Sequence, residues 1–162
     1  MKPEELRELY RGGRPNERAR AIQRAFMPLA RTGLMPWSAV LEVTGRRSGA
    51  TIALPVVILR VRGAHYLVSM LGPKANWVRN AEAAGGRAVL VRGRRRAVRL
   101  VRVHGEAAVP VLRRYLLIAR SGRVHLDVTR ESSDADLRSA AQRYPVLRVD
   151  RDPAPPQGSV GQ

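Results

Sequence analysis

Residue 37 marks a change of period that limits the fold more than any other feature of this chain. From there the apolar residues stop recurring at helical spacing. They come instead in short runs rich in Val, Ile and Leu, at 37–44, 51–62 and 65–70, separated by glycine-containing turns. Runs this short are stable only beside hydrogen-bonded neighbours, and tight glycine turns supply those in hairpin order. Two more runs, 87–92 and 96–104, are expected to form a hairpin around the Gly-Arg step between them, and "YPVLRV" a last strand. Helical patterns are interleaved at 76–84, stopped by Gly85 and Gly86, at about 106–119, and at 134–143. Strands in hairpin order with helices inserted and appended predict an α+β chain built on an antiparallel barrel or strongly curved sheet. A doubly wound parallel sheet is disfavoured, because the Gly-x-Gly-x-x-Gly signature of its dinucleotide-binding form is missing.

Before residue 37 the pattern is helical. A short piece at 3–10 is followed by the break "RGGRPN" and a helix over 16–31, with Asn16 as N-cap and Ile22, Phe26, Leu29 and Ala30 on one face. Pro28 is expected to kink it. Residues 1–35 therefore read as a helical segment whose apolar face seats on the barrel or, with Arg18, Arg20, Arg24 and Arg31 beside it, on an anionic membrane surface. Residues 36–149 read as one domain, and 150–162, rich in Pro, Gly and Ser, as a disordered tail.

The charge asks for an anionic partner. Lys and Arg number 30 against 13 Asp and Glu, a formal net charge of +17. Between Val43 and Gly105 the only acid is Glu82, so salt bridges within that segment cannot neutralise it. Within it, "TGRRSG" sets Arg46 and Arg47 in a turn bounded by glycines. Planar guanidinium forks bind phosphates and carboxylates bidentately, and a glycine-flanked turn exposes backbone N–H groups to the same anion. A basic turn of this kind also simply faces water in many proteins. A second basic stretch, Arg92 to Arg99, would suit a β-ribbon on nucleic acid, but with only 1 Phe, 2 Trp and 4 Tyr a stacking platform is lacking, which argues against it.

Side-chain chemistry is sparse. Cysteine is absent, so no disulfide, thiol nucleophile or Cys-based zinc site exists. The histidines His65, His104 and His125 lie far apart in sequence and suit structural or surface roles, and no metal site is expected. Asp127, Glu131, Asp134 and Asp136 fit helix capping and a solvated face better than a paired-carboxylate site. Catalytic motifs such as Gly-x-Ser-x-Gly, His-Glu-x-x-His or a Walker loop are missing, so chemistry here would be carried by a cofactor. An N-terminus this charged is no signal peptide and no apolar run reaches 18 residues, which suggests a cytoplasmic protein, associated with a membrane surface if the first helix serves that purpose.

An ordered set of motifs adds to this. "TGRRSG", then Pro55 a few residues into the next strand, then "YLVSMLGPKANWVRNAEAAGGRAVLVRGRRRAVRLVRV", resembles the deazaflavin-dependent nitroreductase and quinone-reductase family over roughly residues 40–103. The resemblance implies a split β-barrel, similar to the FMN-binding barrel of pyridoxamine-phosphate oxidases, with flanking helices. It implies coenzyme F420 as hydride donor, with FMN as the alternative, and a small electron-poor acceptor such as a quinone, nitroaromatic or activated enone. By the same resemblance Arg46, Arg47, Ser48 and Gly49 would clamp the anionic coenzyme tail. Pro55 would line the pocket, Ser69 and Met70 would flank the deazaflavin ring, and Asn76, Trp77 and Asn80 would close over the cofactor. Without the resemblance, Trp77 reads as a core residue in a helical stripe with Ala81 and Ala84. No obligatory side-chain catalyst is implied; Ser69, Tyr115 and Tyr144 are weak candidates, the tyrosines as proton donors. Monomer and homodimer both remain open.

Overall fold

The computed structural model describes residues 1–153. Five helices and seven strands follow one another as α1 (Pro3–Glu8), α2 (Glu17–Thr32), β1 (Ser38–Thr44), β2 (Thr51–Val57), β3 (Leu59–Val61), β4 (Ala64–Val68), α3 (Asn76–Ala83), β5 (Arg87–Arg92), β6 (Arg94–Val103), α4 (Val109–Ile118), α5 (Asp134–Arg143) and β7 (Val146–Arg151). All seven strands join one antiparallel sheet in the order β2-β1-β5-β6-β7-β4-β3.

That order places β2 and β3 at opposite ends of the sheet although they are neighbours in the chain. The run 51–62, expected as one strand, is therefore two. Ile58 interrupts it, sending its N–H to the Trp37 carbonyl at 3.0 Å and burying its side chain among the barrel residues. At this corner the chain passes from one end of the sheet to the other, and the sheet curls into the split β-barrel. Closure of this kind protects strand edges that would otherwise stay unpaired. β3 then turns into β4 through Arg62 and Gly63, both at positive φ (50° and 83°), as a two-residue hairpin of the twist-matched kind requires.

Side chains alternate between two faces, and each face has its own core. Ala39, Leu41 and Val43 of β1 point inward with Leu54, Val56, Leu67, Leu90, Val98, Leu100 and Leu147. On the outer face α2 lays Phe26, Met27 and Ala30 over Val40, Ala53, Val89 and Val91. The N-terminal helix thus packs on the barrel. It runs unbroken through Pro28, capped by the Asn16 side chain on the Ala19 N–H and ended by Gly33 at φ 74°. Its expected apolar face is split: Ile22 and Leu29 stay exposed while Ala19 takes a buried place. A third core joins α4 and α5 to β3, β4 and β7 around Leu112, Tyr115, Leu116 and Leu137.

β6 begins at Arg94 rather than Arg96, since Arg92 and Arg94 pair directly across Gly93. β7 continues to Arg151, paired with Val98, so ordered sheet extends past the domain boundary expected at 149. Of the expected tail, 150–153 are described and the rest lies outside the described residues.

Gly86 is held where only glycine fits. It links α3 to β5 at φ 84°, and a Cβ there would lie 2.6 Å from the Leu100 carbonyl oxygen. Its own carbonyl accepts from the Leu100 N–H at 2.7 Å, so neither strand can back away without losing that bond. Gly86→Ala is expected to lower stability by about 2 kcal/mol, read by chemical denaturation; a change within a few tenths would show that this junction yields.

Candidate functional site

The "TGRRSG" turn forms because β1 and β2 end opposite one another at Thr44 and Thr51, leaving six residues to reverse the chain. Gly45 donates to the Ala50 carbonyl at 2.8 Å and Gly49, at φ 71°, donates to the Gly45 carbonyl at 2.8 Å. Ser48 Oγ accepts from the Ala50 N–H at 3.2 Å, so the hydroxyl expected to meet the cofactor already braces the turn. Arg47, Ser48 and Gly49 are exposed and Arg46 is half-buried.

Helix α3 supplies the partner of that turn. Asn80, only 3% exposed, accepts at Oδ1 from the Arg46 backbone N–H at 3.2 Å and from its Nη1 at 2.7 Å. One amide oxygen thereby fixes both the turn and the direction of its first guanidinium. Arg46 sits below the usual guanidinium range, first through partial burial and then through repulsion from Arg79 and Arg47. Three positive groups crowded together in this way fit an anion, whose charge would relieve the repulsion.

A cleft of about 660 Å³ opens beside this junction, with Arg46, Gly49, Asn80, Thr44, Thr51 and Arg87 among its walls. Sequence reasoning had not singled out Arg87, although its place directly after Gly85-Gly86 at the head of a basic strand was visible. It also passed over Glu42. This carboxylate, 8% exposed, also lines the cleft and receives Arg31 of α2 at 3.2 Å and Arg95 of β6 at 2.5 Å. Only the folded sheet brings those two arginines to it.

The remaining expected site residues are dispersed. Pro55 pairs with Val40 and so shares the outer face that α2 covers, four residues along β2 from the turn. Trp77 packs with Ala81 into the barrel interior beside Leu54 and Val56, which is the core role its helical stripe allowed. Asn76 is exposed at the start of α3. Ser69, 1% exposed, donates from Oγ to the Gly72 carbonyl at 2.7 Å, an internal tie in the β4–α3 loop. Met70 borders the third core.

Neither tyrosine lines the cleft. Tyr115, 2% exposed, is buried in the α4 core, where desolvation pushes its phenol well above the usual range. Tyr144 accepts at its hydroxyl from the Asp127 N–H at 3.2 Å. The acids of the 127–136 segment serve structure, since Asp127 pairs with Arg143 at 3.0 Å and Asp134 with Arg113 at 2.5 Å, while Ser133 caps α5. Among the described residues no cluster of three or more potential metal ligands exists, and no helix is long and apolar enough to cross a membrane. His125 meets the Tyr10 ring edge-on, His104 is exposed, and His65 faces a second cavity described below.

Comparison with solved structures shows similarity to an F420-H2 dependent reductase, FDR-A, at 16% identity and a TM-score of 0.45, over 70% of this chain and 94% of that one. The chain is also similar to the Agrobacterium tumefaciens protein Atu2129, of unknown function, at 17% identity and a TM-score of 0.50, over 82% of this chain and 56% of that one. An FAD-binding protein from Mesorhizobium loti is similar at 13% identity and a TM-score of 0.43, over 79% and 88% of the two chains. No match was found among curated proteins. The family model described as F420H(2)-dependent quinone reductase matches residues 17–131, from the start of α2 through strands β1 to β6 and α4 to the loop before α5. That span holds the arginine turn, Asn80 and every lining residue of the cleft except Asp152, and the chain belongs to the F420H(2)-dependent quinone reductase family.

Proposed function

We propose that this chain reduces a quinone-type, electron-poor acceptor, holding the anionic part of its coenzyme on Arg46 and Arg47 at the β1–β2 turn. Membership of the family makes it an F420-dependent oxidoreductase with reduced coenzyme F420 as hydride donor. The observation that supports the proposed site is the junction of Arg46 with Asn80, which aims a guanidinium at the head of a cleft lined by Gly49 and Arg87.

When bound, the deazaflavin supplies the hydride. What the protein supplies is position and charge. Arg46 and Arg47 attract the anion, and Asn80 keeps Arg46 in one rotamer, so little side-chain entropy remains to be lost on binding. The Gly49 backbone leaves room for close approach, since nothing lies within 4 Å of where a Cβ would stand. Nothing here requires a side-chain proton donor. Tyr115 is closed in the helical core, and the Tyr144 hydroxyl is engaged by a backbone N–H.

The test is oxidation of F420H2 by purified protein with a soluble quinone, a nitroaromatic and an enone in parallel, beside a binding titration with F420 and FMN. Quinone-dependent oxidation and preferential F420 binding are expected. Turnover with the nitroaromatic or enone but none with any quinone would overturn the acceptor assignment. The variants Tyr115→Phe and Tyr144→Phe are expected to keep wild-type turnover; a tenfold loss in either would restore a tyrosine proton donor.

A further inference from the structure

The barrel's apolar core gives way to basic residues at one end. α3 packs Trp77 and Ala81 into it and joins the strands at the end bearing the arginine turn. Following the inward-facing positions of four strands toward the other end, the side-chain type changes within one step. Leu90 of β5 is followed by Arg92, Val98 of β6 is preceded by Arg96 and Arg94, Val149 of β7 is followed by Arg151, and Leu67 of β4 is preceded by His65. The pairings agree with this parity: Leu90 faces Arg96, Arg92 faces Arg94, Val98 faces Arg151 and His65 faces Val149. Beyond the apolar core the same side of the sheet therefore ends in four arginines and a histidine at the barrel mouth, with Arg92 and His65 half-buried and Arg94, Arg96 and Arg151 exposed.

These residues line a cavity of about 1080 Å³ whose apolar side is Ile58, Leu90, Val98 and Val149. Two carboxylates also border it, but each is engaged elsewhere: Asp150 holds Arg148 at 2.7 Å, and Asp152 lies near Arg99 at 3.7 Å and Arg87 at 3.9 Å. Arg92 donates to the Pro36 carbonyl, which leaves its charge in place. Arg92, Arg94, Arg96 and Arg151 form no salt bridge among the described residues. His65 is held below the usual imidazole range by burial and by Arg92, Arg60 and Arg96, as expected where positive charge is not compensated. Arginines converging beside an apolar wall suit a ligand of opposite charge.

We infer that this arginine-lined end of the barrel is a second binding site, for a small organic di- or polyanion, of the diphosphate class, carried on a flat apolar body. Paired guanidinium forks at Arg92, Arg94 and Arg96 match adjacent phosphate groups, and the wall of Ile58, Leu90, Val98 and Val149 takes a ring. The site differs from the one proposed for the coenzyme. The two cavities share Arg95, Ala97 and Asp152, but Arg94 and Arg96 line only this one and Arg46 only the other.

Calorimetric titration of the full chain at physiological salt, with inorganic pyrophosphate and with adenosine diphosphate as probes, tests this. Saturable binding of both is expected, with the ring-bearing probe tighter, together with a shift of the His65 imidazole resonances. Arg94→Glu with Arg96→Glu is expected to weaken adenosine diphosphate at least tenfold and leave F420 affinity unchanged, while Arg46→Glu with Arg47→Glu does the reverse. Arg94→Gln with Arg96→Gln serves as a milder pair if charge reversal impairs folding, and should weaken binding in the same direction. Absence of saturable binding, or equal loss of both ligands in either pair, would overturn a separate site. So would binding only to phosphatidylglycerol vesicles or DNA that salt abolishes, which would mark the arginines as a general polycationic surface.

Discussion

Arg46→Glu combined with Arg47→Glu is expected to weaken coenzyme F420 by about 100-fold or more, roughly 2.7 kcal/mol of binding free energy, while thermal stability falls little. The argument rests on location. Arg47 is exposed and Arg46 half-buried in a turn whose backbone is closed by Gly45, Gly49 and Ala50, and the Arg46 backbone N–H also reaches Asn80, so the turn closes without either guanidinium. For an anionic ligand the substitution replaces two charge-assisted donors with two repelling carboxylates. Asn80→Ala separates orientation from charge: Arg46 keeps its charge and loses the acceptor that holds both its backbone N–H and its Nη1. It is expected to weaken the coenzyme by about tenfold, less than the double reversal. Fluorescence titration measures both, with denaturation on the same samples. If affinity and stability fell together in the arginine pair, the turn would be structural and the anion site would lie elsewhere.

Leu41→Ala is expected to be the most destabilising single change in the barrel, by about 2–5 kcal/mol. Leu41 is fully buried at the middle of β1, between β2 and β5, and contributes to the inward core shared by both. Deleting its side chain removes apolar contact and leaves a hole that a sheet paired on both edges cannot collapse to fill. At roughly 2–4 °C per kcal/mol for a chain of this size, the melting temperature should drop by about 5–15 °C. Leu29→Ala, on the exposed face of α2, is the matched control and should change stability by less than about 0.5 kcal/mol. A loss below about 1 kcal/mol at Leu41 would mean that the strands around it repack freely.

Much of the local structure was legible because local signals caused it. Asn16 caps α2, Gly85 and Gly86 end α3, and the β-branched runs are strands, each following from backbone preference and periodicity within a few residues. The arginine turn was legible for the same reason. Misplaced boundaries have non-local causes. Nothing near Ile58 announces a break in 51–62, because the break is made by the Trp37 carbonyl and by closure of the sheet. The strand past Val149 exists because β6 offers partners as far as Val98.

The candidate site divides in the same way. Sequence by itself determined that a positively charged antiparallel barrel would carry two arginines in a glycine-bounded turn, and that no side chain offered familiar catalytic chemistry. Tertiary structure alone decided that Asn80 holds Arg46, that Glu42 gathers Arg31 and Arg95, and that Trp77 and Tyr115 belong to cores. It also decided that Arg92, Arg94, Arg96 and Arg151 gather at one mouth of the barrel, around one cavity. A run such as "RGRRRAVR" fixes only that alternate residues share a face; which face is interior depends on register with strands up to some fifty residues away, where Leu41 pairs with Leu90.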